Sequence, residues 1–555
     1  MKASDLIVKC LENEGVKYIF GLPGEENEDL LFSLENSTIK FIPTRHEQGA
    51  AFMADVYGRL TGKAGVCLST LGPGATNLIT GIADAHLDKS PLVAITGQGD
   101  SHRLHKESHQ LLDIVSMFKP ITKWNTSINA PKIIPEVVRK AFKLAEMEKP
   151  GATHFELPED IAKLDVPAEH AIPIPTQRVR RSAPDYKAVQ HAITLLKQAK
   201  RPLILAGNGA IRKLASKHLR EFVQQTRIPV ISTFMGKGAV SDREPYSLFS
   251  VGLKGDYSRI VFEHADLIIS IGYDVAEHGP ESWNPKKDKT IIHIDFTPAE
   301  VYEYYQPAIE IVCDISATLW ELNQMTKKEQ LIFDDGWYLP LREHRKKDIE
   351  SYTLQEHAPF TVAGTLNLLR ELMHDNDILI SDVGAHKMWI ARNFMTYEPN
   401  TCIISNGLAS MGIAVPGGFA AKLACPDKRV VVGVGDGGFL MSAYEIETAK
   451  RIGVAYTILI FNDNNYGLIT AKQRLHAGRI FGTELTNPDF KRYAESFDIR
   501  GYAPQTLSEL KQNLKEALES NTLCIMEISI DPAENLKLSK KLGNQNHKIT
   551  DYGQV

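Results

Sequence analysis

Short apolar segments alternate with helical patterns along the whole length of this chain. Segments such as VCL at 66–68, LVAI at 92–95 and VVVGV at 430–434 are apolar throughout and show no polar alternation. Runs of this kind, followed by a Gly-rich turn and a helix, are typical of strands buried on both faces of parallel sheets. The sequence therefore predicts an α/β fold of doubly wound parallel sheets covered by helices on both faces.

Length and two breaks in this pattern divide the chain. At 555 residues it exceeds the size at which one core stops growing, about 250–300 residues. Proline and charge rise at about 165–187, and a polar connection follows at about 325–360. A strand–Gly turn–helix unit near residue 436 echoes one near residue 72, so we expect the first and third domains to share an architecture. The predicted units are an N-terminal domain over 1–165, a central Rossmann-like domain over 188–325, a C-terminal domain over 360–535 and a tail over 536–555.

Composition and charge argue against several classes of protein. The formal net charge is −5, so no overall field favours nucleic acid or an anionic membrane. No apolar stretch approaches the roughly 20 residues that span a bilayer, and the N-terminal segment lacks the apolar core of a signal peptide. The six cysteines show no metal-ligand spacing. We expect a cytoplasmic protein with reduced thiols that binds neither nucleic acid nor membranes.

Two polar segments follow adjacent buried strands in the last third of the chain. GDGG occupies 435–438 and NDNN occupies 462–465, which places Asp436 and Asp463 27 positions apart. One strand–helix–strand excursion of that length returns the chain to the sheet edge where ligands bind. Two carboxylates with backbone carbonyls suit Mg²⁺, and the glycines allow an anion to approach the N–H groups of the following helix. Together the segments predict a Mg²⁺–diphosphate site, whereas GDGG alone would be interpreted as a tight turn.

GDGG followed some 26 residues later by an Asn/Asp-Asn element resembles the signature of thiamin diphosphate enzymes. The resemblance implies that Asp436, Asp463 and the backbone carbonyl of Asn465 bind Mg²⁺. The family usually has Asn and then Gly at the last two positions, but Asp463 is an acceptable oxygen ligand. The resemblance also implies cofactor contacts from Gly384, His386, Gly435, Asp436, Gly437, Gly438, Asn465 and Tyr466. For His386 the alternative of an ordinary turn histidine stays open.

The resemblance implies a second group of cofactor residues around the pyrimidine ring. Glu47, in the segment RHEQGAAF, falls where the family holds a carboxylate against pyrimidine N1′. A carboxylate there promotes the imino tautomer, which can remove the proton from thiazolium C2. In SNGLASMG, Met411 matches the bulky residue that supports the bent cofactor, and the carbonyl of Ala409 would accept from the 4′-amino group. Without the resemblance, Glu47 would be interpreted as a helix-dipole residue and Met411 as core filler.

Longer segments are similar to the acetolactate synthase group, especially its catabolic, flavin-independent kind. They include RHEQGAAFMADVYGRLTGKAGV, LGPGATNLITGI, FKPITKW and GDGGFLMSAYEIETAKRIGV. The resemblance implies thiamin diphosphate- and Mg²⁺-dependent decarboxylation of pyruvate and carboligation to a second 2-keto acid, giving 2-acetolactate and CO₂. It also implies a homodimer or homotetramer in which Glu47 of one chain meets the diphosphate segments of another.

Two residues are expected on the substrate side. Gln110, in ESHQLLDIV, matches the position where the family presents Gln to the substrate, and a surface polar residue at a helix start is the alternative. Glu26, in GLPGEENE, stands where the catabolic synthases carry a Lys that can meet a substrate carboxylate. A negative side chain repels an anionic keto acid unless it is protonated, turned away or neutralised. Either Lys or Arg from DSHRLHKE holds the carboxylate instead, or the substrate differs from pyruvate.

The central domain lacks a convincing nucleotide motif. GNG at 207–209 follows a strand, but Arg212 stands where GxGxxG requires Gly or Ala. Relatives of the family bind FAD in this domain, and a spacer without FAD is favoured here. A flavin-dependent pyruvate oxidase and a non-oxidative 2-keto acid decarboxylase or aldehyde lyase stay as alternative functions. A catalytically silent paralogue is disfavoured, because Glu47, Asp436 and Asp463 are all present.

Overall fold

Three six-stranded parallel sheets, one from each third of the chain, organise the protein. The structure is a computed structural model that describes residues 1–177, 181–252 and 257–543. The doubly wound α/β fold predicted from the apolar runs is confirmed. The runs at 66–68, 92–95 and 430–434 each lie in a buried strand.

The first sheet has the strand order β2-β1-β3-β4-β6-β5. Its strands are β1 (Tyr18–Gly21), β2 (Lys40–Pro43), β3 (Gly65–Ser69), β4 (Leu92–Gln98), β5 (Trp124–Ser127) and β6 (Ala152–Pro158). Its helices are α1 (Ala3–Glu14), α2 (Glu28–Glu35), α3 (Glu47–Thr61), α4 (Gly72–Leu87), α5 (Ile114–Phe118), α6 (Ile134–Glu146) and α7 (Glu159–Lys163).

The second sheet has the order β12-β11-β10-β7-β8-β9. Its strands are β7 (Pro202–Ala206), β8 (Val230–Ser232), β9 (Ser247–Ser250), β10 (Leu267–Ile271), β11 (Thr290–Asp295) and β12 (Ile309–Val312). Its helices are α8 (Tyr186–Gln198), α9 (Lys213–Thr226), α10 (Ser258–His264) and α11 (Ile315–Lys328). A further helix, α12 (Leu339–Glu350), lies within the polar connection predicted over 325–360.

The third sheet, ordered β14-β13-β15-β16-β18-β17, repeats the order of the first. Its strands are β13 (Ile378–Ser381), β14 (Cys402–Ile404), β15 (Val430–Gly435), β16 (Thr457–Asn462), β17 (Arg500–Tyr502) and β18 (Cys524–Ser529). Its helices are α13 (Val362–Leu372), α14 (Ala385–Asn393), α15 (Ala414–Ala424), α16 (Asp436–Leu440), α17 (Glu445–Ile452), α18 (Gly467–Ala477), α19 (Phe490–Glu495), α20 (Leu507–Glu519) and α21 (Pro532–Gly543).

The predicted linker and the predicted tail both overlap helices and both extend beyond the described residues. Of the predicted linker at 165–187, residues 178–180 lie outside the described part of the chain, and α8 begins within the linker at Tyr186. The helix α21 runs across the predicted start of the tail at residue 536, and 544–555 lie outside the described residues. Among the helices of the described ranges, none is both long and apolar enough to cross a membrane.

The first and third domains share one apolar core through α3 and α15. The rings of Phe20 and Phe419 meet edge to face, with centroids 6.4 Å apart. A Cβ added to Gly417 would lie 3.0 Å from Val56, so the two helices approach closely at a residue without a side chain. Because this contact removes apolar surface of both domains from water, it fixes their relative placement within the chain.

Candidate functional site

A pocket lies at the carboxyl ends of β15 and β16, and its lining residues all come from the third domain, between Val362 and Asn535. We call it the C-terminal pocket. The strands are adjacent and parallel, with Gly435 opposite Phe461, so the two polar segments meet there as their spacing predicted. The predicted cofactor residues that line it are Gly384, His386, Met411, Gly435, Asp436, Gly437, Gly438, Asp463, Asn465 and Tyr466.

The GDGG segment is a junction between a strand and a helix. The strand β15 ends at Gly435 and α16 begins at Asp436. A Cβ at Gly437 would lie 2.9 Å from the ring of Tyr466, and one at Gly438 would lie 2.8 Å from a carboxylate oxygen of Asp382. A side chain at either position would displace one of these neighbours, so the two glycines allow the polar segments to pack closely, in addition to any approach by an anion.

The carboxylates of Asp436 and Asp463 are both buried in this pocket. Burial raises the pKa of Asp436. Burial, and to a lesser extent the nearby charge of Asp436, raises the pKa of Asp463 to about 7. Their neighbours donate from neutral amides: Asn487 Nδ2 lies 2.7 Å from Asp436 Oδ2, and Asn535 Nδ2 lies 2.7 Å from Asp463 Oδ2. None of the residues that line the C-terminal pocket is Lys or Arg. Two buried carboxylates without a cationic side chain fit a hard divalent cation.

The imidazole of His386 is buried in the first turn of α14 and lines the same pocket. Burial lowers its pKa to about 4, so the ring is neutral near pH 7. It packs against Gly435, where a Cβ would lie 3.2 Å from the ring, and stacks on Phe461. Within the described residues its Nε2 has no hydrogen-bond partner. A buried polar atom without a partner at this position fits an anionic ligand such as a diphosphate.

The carboxylate of Glu47 lies in the first domain, at the first position of α3. It is buried, and Asn77 Nδ2 donates to its Oε2 over 2.9 Å. A Cβ added to Gly74 would lie 3.3 Å from its Oε1. The carboxylate is therefore shielded from water. It is held by α4, because both Gly74 and Asn77 belong to the first part of that helix.

Gln110 and Glu26 approach the same turn at the start of α4. Gln110 has φ 61, and its carbonyl oxygen would lie 2.7 Å from a Cβ added to Gly72. It precedes α5 by several residues and is exposed, so of the alternative, a surface polar residue at a helix start, only the surface position applies. Thr70 Oγ1 donates to Glu26 Oε2. We call Glu26, Glu47 and Gln110, gathered around the turn at 70–74, the N-terminal half-site.

The N-terminal half-site and the C-terminal pocket are separate within one chain. Glu26, Glu47 and Gln110 are absent from the described lining of the C-terminal pocket. Ala409 is also absent from that lining, although Met411, two residues later, is part of it. The single chain thus holds two incomplete groups of predicted site residues.

Glu445 is a residue that the sequence analysis missed. It lies at the start of α17 in the third domain and is fully buried. Its Oε1 accepts from the backbone N–H groups of Arg45, at 3.1 Å, and His46, at 3.2 Å, while Thr448 Oγ1 donates to its Oε2 at 2.6 Å. Glu445 therefore fixes the backbone that leads into Glu47. Its only sequence signal is its place nine positions after Asp436 in the segment YEIETA.

Comparisons with known protein families identify the family to which the chain belongs. Residues 1–117 match the N-terminal thiamine pyrophosphate (thiamin diphosphate) binding domain of thiamine pyrophosphate enzymes. Residues 189–322 match the central domain of those enzymes, and residues 382–528 match their C-terminal thiamine pyrophosphate binding domain. The chain belongs to the thiamine pyrophosphate enzyme family.

Several individual proteins that resemble this chain are acetolactate synthases. The chain is 32% identical to the acetolactate synthase of Bacillus subtilis, over 97% of this chain and 95% of that protein. It is 35% identical to a probable acetolactate synthase large subunit of Methanocaldococcus jannaschii, over 97% and 93%. It is 34% identical to a catabolic acetolactate synthase of Raoultella terrigena, over 97% of both chains. The relatives thus include a probable large subunit and a catabolic enzyme, and this chain is similarly identical to each of them.

Proposed function

We propose that this protein uses thiamin diphosphate and Mg²⁺ to decarboxylate pyruvate and to join the remaining two-carbon unit to a second 2-keto acid, giving 2-acetolactate and CO₂. The observation that carries the cofactor assignment is the pair of buried carboxylates, Asp436 and Asp463, beside the neutral His386 in the C-terminal pocket. Similarity to acetolactate synthases along 97% of the chain supports the reaction.

Each predicted residue has a separate part in this proposal. Asp436, Asp463 and the backbone carbonyl of Asn465 would hold Mg²⁺, and His386, as the tautomer protonated at Nε2, would donate to a diphosphate oxygen. When bound, thiamin diphosphate would supply an acidic carbon that is nucleophilic toward a keto group once it has lost its proton, and a cationic ring that can take up the electron pair released with CO₂.

The other residues act on the pyrimidine and the substrate. Glu47, shielded from water, shares a proton with pyrimidine N1′ and so sets the tautomer of that ring. Met411 supports the bent cofactor and the Ala409 carbonyl orients its 4′-amino group. Gln110 offers a neutral amide to a keto acid, which adds no charge where a carboxylate must leave as CO₂.

We propose further that two chains complete each active site, as a homodimer or a homotetramer. The support is that the N-terminal half-site and the C-terminal pocket are separate in one chain. Apolar side chains around the C-terminal pocket are also exposed: Leu440 by 42%, Ile469 by 47% and Phe481 by 88%. An exposed apolar side chain that lines a site, as Ile469 does, is consistent with a surface that another chain covers.

The central domain is proposed to work without FAD. At the carboxyl end of β7, where a nucleotide would bind, the backbone N–H of Asn208 donates to Glu277 Oε1 over 3.2 Å. The N–H of Met235 donates to Glu277 Oε2 over 3.3 Å. Glu277 thus occupies two backbone donors that an anionic ligand could otherwise use. A Cβ at Gly207 would lie 2.6 Å from Cα of Tyr273, so the turn after β7 packs closely against the turn after β10.

Product analysis tests the proposed reaction. Purified protein with pyruvate, thiamin diphosphate and Mg²⁺ is expected to release CO₂ and 2-acetolactate in equal amounts, and added FAD is expected to change neither rate nor product. Acetate or acetyl phosphate with bound yellow flavin would identify a pyruvate oxidase instead. Free acetaldehyde without 2-acetolactate would identify a non-oxidative decarboxylase.

Non-oxidative decarboxylation is the second candidate, and Glu26 is the observation that favours it. Its carboxylate accepts from Thr70 in the N-terminal half-site, close to Gln110. In the described residues no ion pair joins Glu26 to Lys, Arg or His. A carboxylate there disfavours an anionic acceptor and tolerates a neutral aldehyde.

Replacing Glu26 should therefore shift the products. Glu26→Gln keeps an acceptor for Thr70 but removes the charge, so we expect KM for the acceptor keto acid to fall by roughly 5- to 10-fold, in line with an exposed charge worth about 1 kcal/mol. The ratio of 2-acetolactate to free aldehyde should rise in parallel. Glu25→Gln, at the exposed neighbouring position, is the matched control. An unchanged KM and product ratio in Glu26→Gln would show that this carboxylate does not face the acceptor.

Glu445 variants test how Glu47 is held. Glu445→Ala removes the acceptor of two backbone N–H groups, so Glu47 is expected to shift and kcat to fall by about 10- to 100-fold. Glu445→Gln keeps an oxygen acceptor for those groups and should stay near wild type. The binding of thiamin diphosphate and Mg²⁺, measured by calorimetry, should change little in either variant. Equal kcat for the Ala and Gln variants would contradict a positioning role.

A further inference from the structure

The loop between β14 and α15, residues 405–413, carries Ala409 and Met411, two of the three residues predicted to contact the pyrimidine. We call it the shelf loop. Met411 lines the C-terminal pocket, and Ala409 has φ 59. A residue other than glycine costs about 1–3 kcal/mol in such a conformation and keeps it only when its surroundings impose it. The contacts of the shelf loop should therefore show what imposes its shape.

One end of the shelf loop is held by the third domain itself. Asp382, at the end of β13, accepts from the backbone N–H of Gly412 with both oxygens at 3.0 Å. The N–H of Ala414 also donates to it, at 3.0 Å. This carboxylate fixes the segment that follows Met411, where the chain enters α15.

The other part of the shelf loop is held by two aspartates of the first domain. Asp84 Oδ1 accepts from Ser405 Oγ at 2.9 Å and from the N–H of Ser410 at 3.2 Å. Asp88 Oδ1 accepts from the N–H of Gly407 at 2.6 Å and, more weakly, from that of Asn406 at 3.3 Å. Asp84 lies in the last turn of α4 and Asp88 directly follows that helix. These contacts span more than 300 positions of sequence.

The charges around these aspartates are buried, and an ion pair joins Arg59 to Asp88. Arg59 Nη2 lies 2.6 Å from Asp88 Oδ2 and 3.6 Å from Asp55. Lys387 Nζ donates to the carbonyl of Ser405 at 2.9 Å. Burial raises the pKa of Asp84 and lowers that of Lys387 to about 8. A buried network of this kind is weak evidence for stability, because apolar residues would fill the same space at lower cost in desolvation. It is better suited to fixing one geometry of the loop.

We propose that Asp84 and Asp88 are positioning residues for the cofactor site, which act by fixing the shelf loop and so the places of Met411 and the Ala409 carbonyl. The inference rests on the proposed function only in taking thiamin diphosphate as the ligand, and it does not depend on which keto acid reacts. Neither aspartate touches the pyrimidine in this proposal.

On this proposal, the helix α4 contacts site residues at both of its ends. Its first residue, Gly72, packs against Gln110 in the N-terminal half-site, and Asp84 and Asp88 at its other end hold the shelf loop. A helix of 16 residues spans about 24 Å. If two chains complete each site, α4 joins the half-site of one active site to the shelf of the other.

Cofactor binding and loop protection test the inference without any substrate. Asp84→Ala is expected to weaken binding of thiamin diphosphate at saturating Mg²⁺ by about 10-fold or more, as is typical when a partner of a ligand-contacting group is lost. Backbone amides 406–412 should exchange with deuterium faster than in wild type. Asp84→Asn keeps an oxygen acceptor for both serines and should restore both measurements. Asp427→Ala, at an exposed position of the third domain, is the control.

The outcomes separate this inference from the proposed function. A folded Asp84→Ala with wild-type affinity and unchanged exchange at 406–412 would overturn the positioning role. If Asp84→Ala does not fold, Ser405→Ala removes one of its bonds, and wild-type affinity together with wild-type exchange in that variant would overturn it equally. Failure of the wild-type protein to bind thiamin diphosphate would instead contradict the proposed function.

Discussion

Glu47→Gln is expected to lower kcat with pyruvate by about 10²- to 10⁴-fold, the range typical of a lost general acid–base group. An amide cannot give or take the pyrimidine N1′ proton as a carboxylate does. Because the residues proposed to hold Mg²⁺ and the diphosphate all line the C-terminal pocket and are unchanged, the affinity for Mg²⁺ and thiamin diphosphate should stay within a few-fold of wild type. Steady-state kinetics and calorimetry measure the two effects separately.

A matched substitution controls for the loss of one negative charge in this domain. Glu35→Gln, at an exposed position of α2, should keep the wild-type kcat. Near-normal turnover in a folded Glu47→Gln would remove this carboxylate from the mechanism. Loss of cofactor binding with little effect on the turnover of loaded enzyme would assign it to binding instead.

Asp436→Ala is expected to raise the Mg²⁺ concentration needed for half-maximal activity by more than the roughly 10- to 100-fold typical of a lost outer-shell partner. The substitution removes a carboxylate that faces the C-terminal pocket and leaves Asp463 alone there. The gain in melting temperature that Mg²⁺ and thiamin diphosphate give the wild-type protein should shrink or vanish, because it depends on cofactor affinity. Asp427→Ala again serves as control, and an unchanged Mg²⁺ requirement in Asp436→Ala would refute the metal assignment.

Mixed assemblies of these two inactive variants distinguish a shared site from one built within a chain. If Glu47 of one chain serves the pocket of another, a Glu47→Gln chain paired with an Asp436→Ala chain has one intact site and one doubly defective site. Unfolding and refolding the two variants together should then restore part of the wild-type turnover. Should each site form within one chain, the mixture would stay as inactive as its components.

The sequence predicted the fold and the C-terminal pocket because both depend on local patterns. Apolar runs report burial on both faces, and adjacent parallel strands bring Asp436 and Asp463 to one edge of the sheet. The helix α12 was missed because its segment, LPLREHRKKDIE, is dominated by charge and lacks a clear apolar stripe.

The residues that hold the site together could not be predicted in this way. Glu445 bonds to the backbone about 400 positions earlier, and Asp84 bonds to Ser405, 321 positions later. Asn487 and Asn535, which donate to the two carboxylates of the pocket, lie in segments without a motif. The contacts of Glu445 and Asp84 follow from the packing of one domain on another, and those of Asn487 and Asn535 follow from the folding of the third domain. No local spacing records either kind.

The separation of Glu47 from the C-terminal pocket has a consequence for how activity responds to protein concentration. On the proposed arrangement, an unpaired chain is inert whatever its cofactor supply, so specific activity should fall on dilution below the dissociation constant of the dimer. A newly synthesised chain would likewise consume no keto acid before it meets its partner. Assembly would then act as the final step of maturation, and its rate would increase with the square of the chain concentration.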